Sequence, residues 1–306
     1  MKKFFLMSTL LLVALMASSQ TKVVPKMKKG LKKTYASEAV IKNAAQKSPV
    51  TITTLTTFEV TDATTDGYVL DAQITDVKND ADQSDMQGRI MSMSTEMLKG
   101  IHTIYATDKE GKVTKILNFN EIKEKTLASI DNLLAAAPLP DSEEAKTMME
   151  KVKETVKETV REELTSKLTE EMLVESLQAN TSPLALNGKT IATGTEEEFK
   201  NNMGLKMKRI YTVKDKSNIQ SSAVMNMSTE EMKELIYNLM AKLMPGMTDE
   251  IRKGMDSMIG SIKMEAKEET TYTLKDDGWV ETITSEVSSS TMGQGSVINT
   301  KVRLVK

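Results

Sequence analysis

The sequence predicts an α+β fold: an antiparallel β-sheet built from a duplicated unit, with helices packed against one face. Three observations carry this. Strand-like stretches rich in Thr and β-branched residues occur in both halves of the chain. Runs with helical apolar spacing separate them. A hairpin pattern also occurs twice at the same internal spacing.

MKKFFLMSTLLLVALMASSQ opens the chain. Lys2 and Lys3 precede an apolar run of 13 residues, Phe4 to Met16, too short to cross a bilayer comfortably. Small residues follow, with Ala17 and Ser19 at positions −3 and −1 of a cleavage before Gln20. This is the layout of a secretory signal, so residues 1–19 are expected to leave the mature chain. Cleavage between Ser19 and Gln20 leaves 287 residues and, with Lys2 and Lys3 gone, takes the net charge from −2 to −4. The chain has no cysteine, hence no lipoprotein anchor and no disulfide. The expected location is periplasmic or extracellular, with no transmembrane span in the mature chain.

Residues 20–33 follow as a leader with six lysines, read as a solvated arm. Residues 34–306 are read as a single α+β domain. Its repeat halves run from about 50–120 and 205–285, with a helical middle at 121–179.

Within the domain, TITTLTTFEV and YVLDAQITDV read as strands around the turn Thr65-Asp66-Gly67. The acidic stretch 78–88 lacks the central Gly and terminal Glu of a calcium loop and reads as a plain loop. A hairpin at 101–119 turns at DKEG. A helix follows, with Ile122, Leu127, Ile130, Leu133 and Leu134 on one face, and ends at Pro138 and Pro140. Asp141 and Glu144 form a capping box for the next helix. Its Val156, Val160, Leu164, Leu168 and Met172 recur every four residues among Lys and Glu, predicting a long surface helix over 142–178. Asn187-Gly188 marks a hairpin turn. After further strands, Met232, Leu235, Ile236, Leu239, Met240 and Leu243 share a helical face. A second methionine-rich helix is expected over 247–262, beyond Pro245-Gly246. Strands around KDDG and the terminal SVINTKVRLVK close the chain.

Two repeats suggest the duplication. MSMSTEMLKG (91–100) and MNMSTEEMKE (225–234) lie 134 residues apart. Both read as a strand whose methionines share a face, followed by a helix capped at the serine. Tyr105, Gly111, Val113 and Ile116 match Tyr272, Gly278, Val280 and Ile283, all offset by 167.

Most catalytic chemistry is missing. The one histidine, His102, and the absence of cysteine leave no zinc set and no thiol nucleophile. No nucleophile elbow or phosphate-cradling glycine loop occurs. Acidic residues slightly outnumber basic ones, 43 to 41, and aromatics are 4% of the chain, which argues against nucleic acid. No cofactor or metal is expected, and the protein reads as not an enzyme.

The DGYVLDAQITDV strand, MLKGIHTIYATDKEGKVTKI, the helical middle and the final Y-x5-GW hairpin resemble an uncharacterised family of secreted bacterial proteins. Its members are distantly similar to the lipoprotein-localisation carriers. The resemblance implies a curved half-barrel sheet whose open face is closed by a helical lid.

The expectation is a secreted, non-catalytic envelope protein binding a lipid or other apolar or amphiphilic ligand between sheet and helices. Met225, Met227, Leu235, Leu239, Met240 and Trp279 are the expected lining residues. The alternative is a structural or interaction module that docks an envelope protein partner through helix 142–178.

Overall fold

The computed structural model describes residues 20–44, 48–82, 86–96, 98–136, 153–154, 157–158, 161–162, 165, 168–201, 205–243, 264–291 and 294–306. The expected signal segment with Ser19, the capping box at Asp141 and the helix over 247–262 lie outside these residues.

Chain order alternates long strands with short helices. The first half holds β2 (Lys32–Asn43), β3 (Val50–Ala63), β4 (Gly67–Asn79), α1 (Met86–Glu96), β5 (His102–Asp108), β6 (Val113–Ile116) and α2 (Phe119–Ala136). Then come α3 (Glu170–Leu177), β8 (Glu196–Lys200), β9 (Lys206–Val213), β10 (Asn218–Met225) and α4 (Thr229–Leu243). β11 (Met264–Leu274), β12 (Val280–Thr291) and β13 (Gln294–Leu304) complete the second half. These strands form one open, curved antiparallel sheet of 11 strands, ordered β6-β5-β4-β3-β2-β13-β12-β11-β10-β9-β8. Two short strands, β1 (Thr21–Lys22) and β7 (Thr190–Ile191), pair separately.

The sheet is a tandem of two meanders joined by β13. In the first, Val60, Leu70, Tyr105 and Ile116 face one another across β3, β4, β5 and β6. In the second, Val213, Ile219, Tyr272 and Ile283 do the same across β9, β10, β11 and β12. All but Val213 are buried. Alternation along each strand places these side chains on the same face, where they form the main apolar cluster. The hairpin repeat is therefore a repeat of core positions. Gly111 and Gly278 take positive φ, +82° and +78°, at the two equivalent turns.

The other repeat is not structural. MSMSTE at 91–96 lies inside α1, where Thr95 Oγ1 donates back to the Met91 carbonyl at 2.7 Å. The second copy begins at the end of β10 and enters α4, as expected. The reason is placement: Met91 follows core Leu70 by 21 residues, whereas Met225 follows its equivalent Ile219 by 6. In the first half β4 runs on to Asn79, and the motif falls beyond the strand. Ser228 and Glu231 do form the reciprocal cap, with Glu231 N donating to Ser228 Oγ at 3.2 Å and Ser228 N to Glu231 Oε2 at 2.9 Å.

The leader is not a solvated arm. Val23 is 1% exposed, and its N–H and C=O pair with Lys189 and Gly188. Lys26 N donates to the Asp277 carbonyl, Gly30 N to that of Val60, and Trp279 Nε1 to that of Lys26. Pro25 lies over the Gly111 turn and Val24 over the Gly278 turn, so one strap crosses both hairpin tips. Apolar Val23 and Pro25, set among the lysines, anchor it. Asn187-Gly188 makes its turn, but the strand it starts, β7, pairs with β1 of this strap and forms no hairpin.

The long helix expected over 142–178 is interrupted. Leu168 and Thr169 are not helical, and Thr169 Oγ1 accepts from Met172 N at 3.1 Å to start α3 anew, with Glu170 and Glu171 in its first turn. Met172 is exposed, while Leu173, Val174 and Leu177 pack on the main cluster. Helix α3 also closes one sheet edge. Ile116 N donates to Glu170 Oε1 at 3.0 Å, and Gln178 Nε2 donates to the Val113 carbonyl at 2.9 Å.

Candidate functional site

Three of the six expected lining residues come together. Met225, Met227 and Leu235 pack with Phe199 and Met264 on a small cluster of Leu205, Met207, Ala223 and Ala266. Leu235 brings α4 down onto the core-side face of β9, β10 and β11. Leu239 and Met240 belong to α4, but their side chains lie outside the described residues. Trp279 sits apart, 1% exposed in the main cluster beside the strap.

Between the two clusters runs one cross-strand row. Glu197, Arg209, Ala223, Glu268, Val287, Ile298, Ile41 and Val50 are successive partners across β8, β9, β10, β11, β12, β13, β2 and β3. The period of two puts all of them on the face that carries Tyr272 and Ile283. The row changes chemistry between β11 and β12: it is ionic at one end and aliphatic at the other.

At the aliphatic end Val287, Ile298 and Ile41 are only half-buried, as is Ile52 in the adjoining row. Next to them stand small residues, with Ser289 and Ser296 sharing a hydrogen bond of 2.9 Å. Described helices flank this stretch. α1 packs against β4, α2 against β5 and α3 against β6, while α4 lies over β9–β11. The result is a half-buried apolar strip on β12, β13, β2 and β3, the floor of a candidate groove.

At the ionic end Arg209 and Glu268 are buried, while Glu197 and Lys189 are half-buried. Arg209 is 4% exposed, and its guanidinium lies 3.9 Å from the centre of the Phe199 ring. It donates to Glu197 Oε2 at 3.0 Å and stands 3.8 Å from Glu268 Oε2. Glu197 also accepts from Lys189 at 2.9 Å and from the Tyr211 hydroxyl at 2.7 Å. Burial pushes the Glu197 carboxyl up, but Lys189, Tyr211 and Arg209 together hold it below the usual glutamate value. Asn180 donates to Glu268 and accepts from the Tyr272 hydroxyl at 3.0 Å. Arg209 Nε is buried and has no hydrogen-bond partner. Sequence reading missed this cluster, because Glu197 and Arg209 lie in polar strands that look like solvated faces; only the register brings them to the core side.

A cavity of about 490 Å³ opens on the opposite face of the same strands. Glu38, Lys301, Thr284, Thr271, Glu269 and Glu286 are among its lining residues, so it is distinct from the aliphatic strip. His102, also on that face, pairs with Asp71 at 3.0 Å and is partly exposed.

Fold and site together define an α+β protein with an open antiparallel sheet flanked by helices and a half-buried aliphatic strip on its core side. No protein-family model matches the chain, and no curated protein is similar to it. Among solved structures it is similar to a chain described under "Lipid-protein interactions in lipovitellin", with 9% identity and a TM-score of 0.37. That likeness covers 92% of this chain and 26% of the other, so the chain spans about a quarter of its length. It is also similar to a porin-like protein from Bacteroides uniformis, with 10% identity and a TM-score of 0.19 over 89% and 95% of the two chains. No described helix is long and apolar enough to cross a membrane.

Proposed function

We propose that this is an exported, non-catalytic envelope protein that holds an apolar or amphiphilic ligand, a lipid acyl chain, in the groove between sheet and helices. One observation carries the reading: Val287, Ile298, Ile41 and Ile52 form a continuous aliphatic floor that is left half-buried between helical flanks. Aliphatic surface facing the core side of a sheet is normally covered, and covering it with a ligand contributes about 25 cal/mol per Å² before ordering costs. The signal-like N-terminus supports export.

Titration with the neutral apolar probe N-phenyl-1-naphthylamine tests the reading. Saturable binding that is lost in Ile298→Glu, with the fold retained by circular dichroism, is the expected result. Absent or non-saturable binding, or binding indifferent to Ile298→Glu, would overturn it.

A further inference from the structure

We infer that the groove's ligand is an uncharged amphiphile whose head group presents a hydrogen-bond acceptor oxygen at the Arg209–Glu268 end. This rests on reading the aliphatic floor as the seat of the tail.

Glu268 and Val287 are direct partners on β11 and β12, so the polar end and the aliphatic floor are contiguous. From Glu268 to Val50 the row crosses four strand spacings, about 19 Å, which suits an extended acyl chain lying across the strands. The head's charge follows from the residues already there. Arg209 and Lys189 are matched by Glu197 and Glu268, with contacts of 2.9 to 3.8 Å. A ligand carboxylate or phosphate brought here meets two carboxylates, and a ligand amine meets two cations. Either adds an unbalanced charge in a desolvated place. An ester or hydroxyl oxygen adds none.

The network also leaves one donor unpaired. Arg209 Nε–H is a buried donor with no acceptor, and such a group is costly until paired. Phe199 fixes the guanidinium plane, and the carboxylates occupy its other edges. A neutral acceptor satisfies that one donor without displacing Glu197 or Glu268. Beside it Thr270 and Ser285 hydroxyls, 2.9 Å apart, continue the polar end toward Thr300.

Competition against N-phenyl-1-naphthylamine on the full chain tests the inference, using 1-monooleoylglycerol and oleate at about pH 8, where the carboxylate is ionised. The two share a tail and differ in head charge. Monooleoylglycerol is expected to bind at least about tenfold more tightly. Arg209→Lys keeps the charge but removes Nε, and is expected to shrink that preference at least about fivefold with unfolding still cooperative. Oleate binding as tightly as monooleoylglycerol, or an unchanged preference in a folded Arg209→Lys, overturns the inference and leaves the groove reading standing. Failure of both lipids to displace the probe overturns both. Where Arg209→Lys does not fold, the preference of the unaltered protein decides alone.

Discussion

Tyr105 and Tyr272 occupy equivalent places in the two halves of the sheet, yet only one of their hydroxyls is satisfied. Each is fully buried between two aliphatic partners, Leu70 and Ile116 for the first, Ile219 and Ile283 for the second. Tyr272 donates to Asn180, whereas the Tyr105 hydroxyl has no partner. Burial raises both phenol pKa values well above 10.0. Removing the two hydroxyls should therefore have unequal effects. Tyr272→Phe is expected to cost about 1 kcal/mol by stranding Asn180, and Tyr105→Phe to be neutral or slightly stabilising. Urea denaturation of the two variants checks this; equal losses would contradict it.

The strap over the hairpin tips makes a second prediction. A Cβ at Gly278 would lie 2.3 Å from the Val24 carbonyl oxygen, at a φ that also disfavours L-residues. Gly278→Ala should destabilise by more than about 1 kcal/mol. Val23→Asp, which places a carboxylate in a sealed apolar seat, should cost more than about 2 kcal/mol. Gly30→Ala serves as the control: its φ is also positive, +82°, but nothing lies within 4 Å of its Cβ. It should lose less than Gly278→Ala in the same melts.

The cap of α4 titrates in a defined direction. Its Glu231 carboxylate is pulled down to about 2, first by the hydrogen bond from Lys206 and then by the Ser228 backbone N–H. A depressed carboxyl stabilises the fold above its ordinary value of 4.5, and this contribution is lost as pH falls toward about 2. Carboxyl NMR should show Glu231 still ionised at about pH 3, where an ordinary glutamate is mostly protonated. Lys206→Met should move its midpoint up. A Glu231 midpoint at the ordinary value would show that the cap does not form.

Much of this fold is written locally, and the site is not. In Y-x5-G-x-V-x2-I each residue has a position-fixed task, so the spacing survives as a readable pattern: a buried ring, a positive-φ turn and two inward aliphatics. Ser228 and Glu231 were equally readable because a cap is settled within four residues. M-x-M-S-T-E misled because Met, Ser and Glu suit a helix as well as a strand, and only the residues spent on β4 decide between them. The strap hid its anchors, Val23 and Pro25, among six lysines. Met225, Met227 and Leu235 were found from a helical face beside a strand end. Glu197, Arg209 and Glu268 were not, because the first two meet only through the β8–β9 register and Glu268 arrives from a strand more than 50 residues further along the chain.

The groove's floor also separates tail binding from stability. Ile298→Ser keeps the strand and removes aliphatic surface. It should weaken lipid binding several-fold while changing unfolding by less than a fully buried isoleucine would, about 2–5 kcal/mol. Ile283→Ser, in the sealed row below, should unfold the protein or cost the full amount.

The central claim is that the groove holds a lipid. Native mass spectrometry of the protein purified from its native source tests it most directly. The account predicts a bound species of lipid mass, released on denaturation and absent from Ile298→Glu. A protein of bare polypeptide mass, with no lipid recovered on extraction, would contradict it.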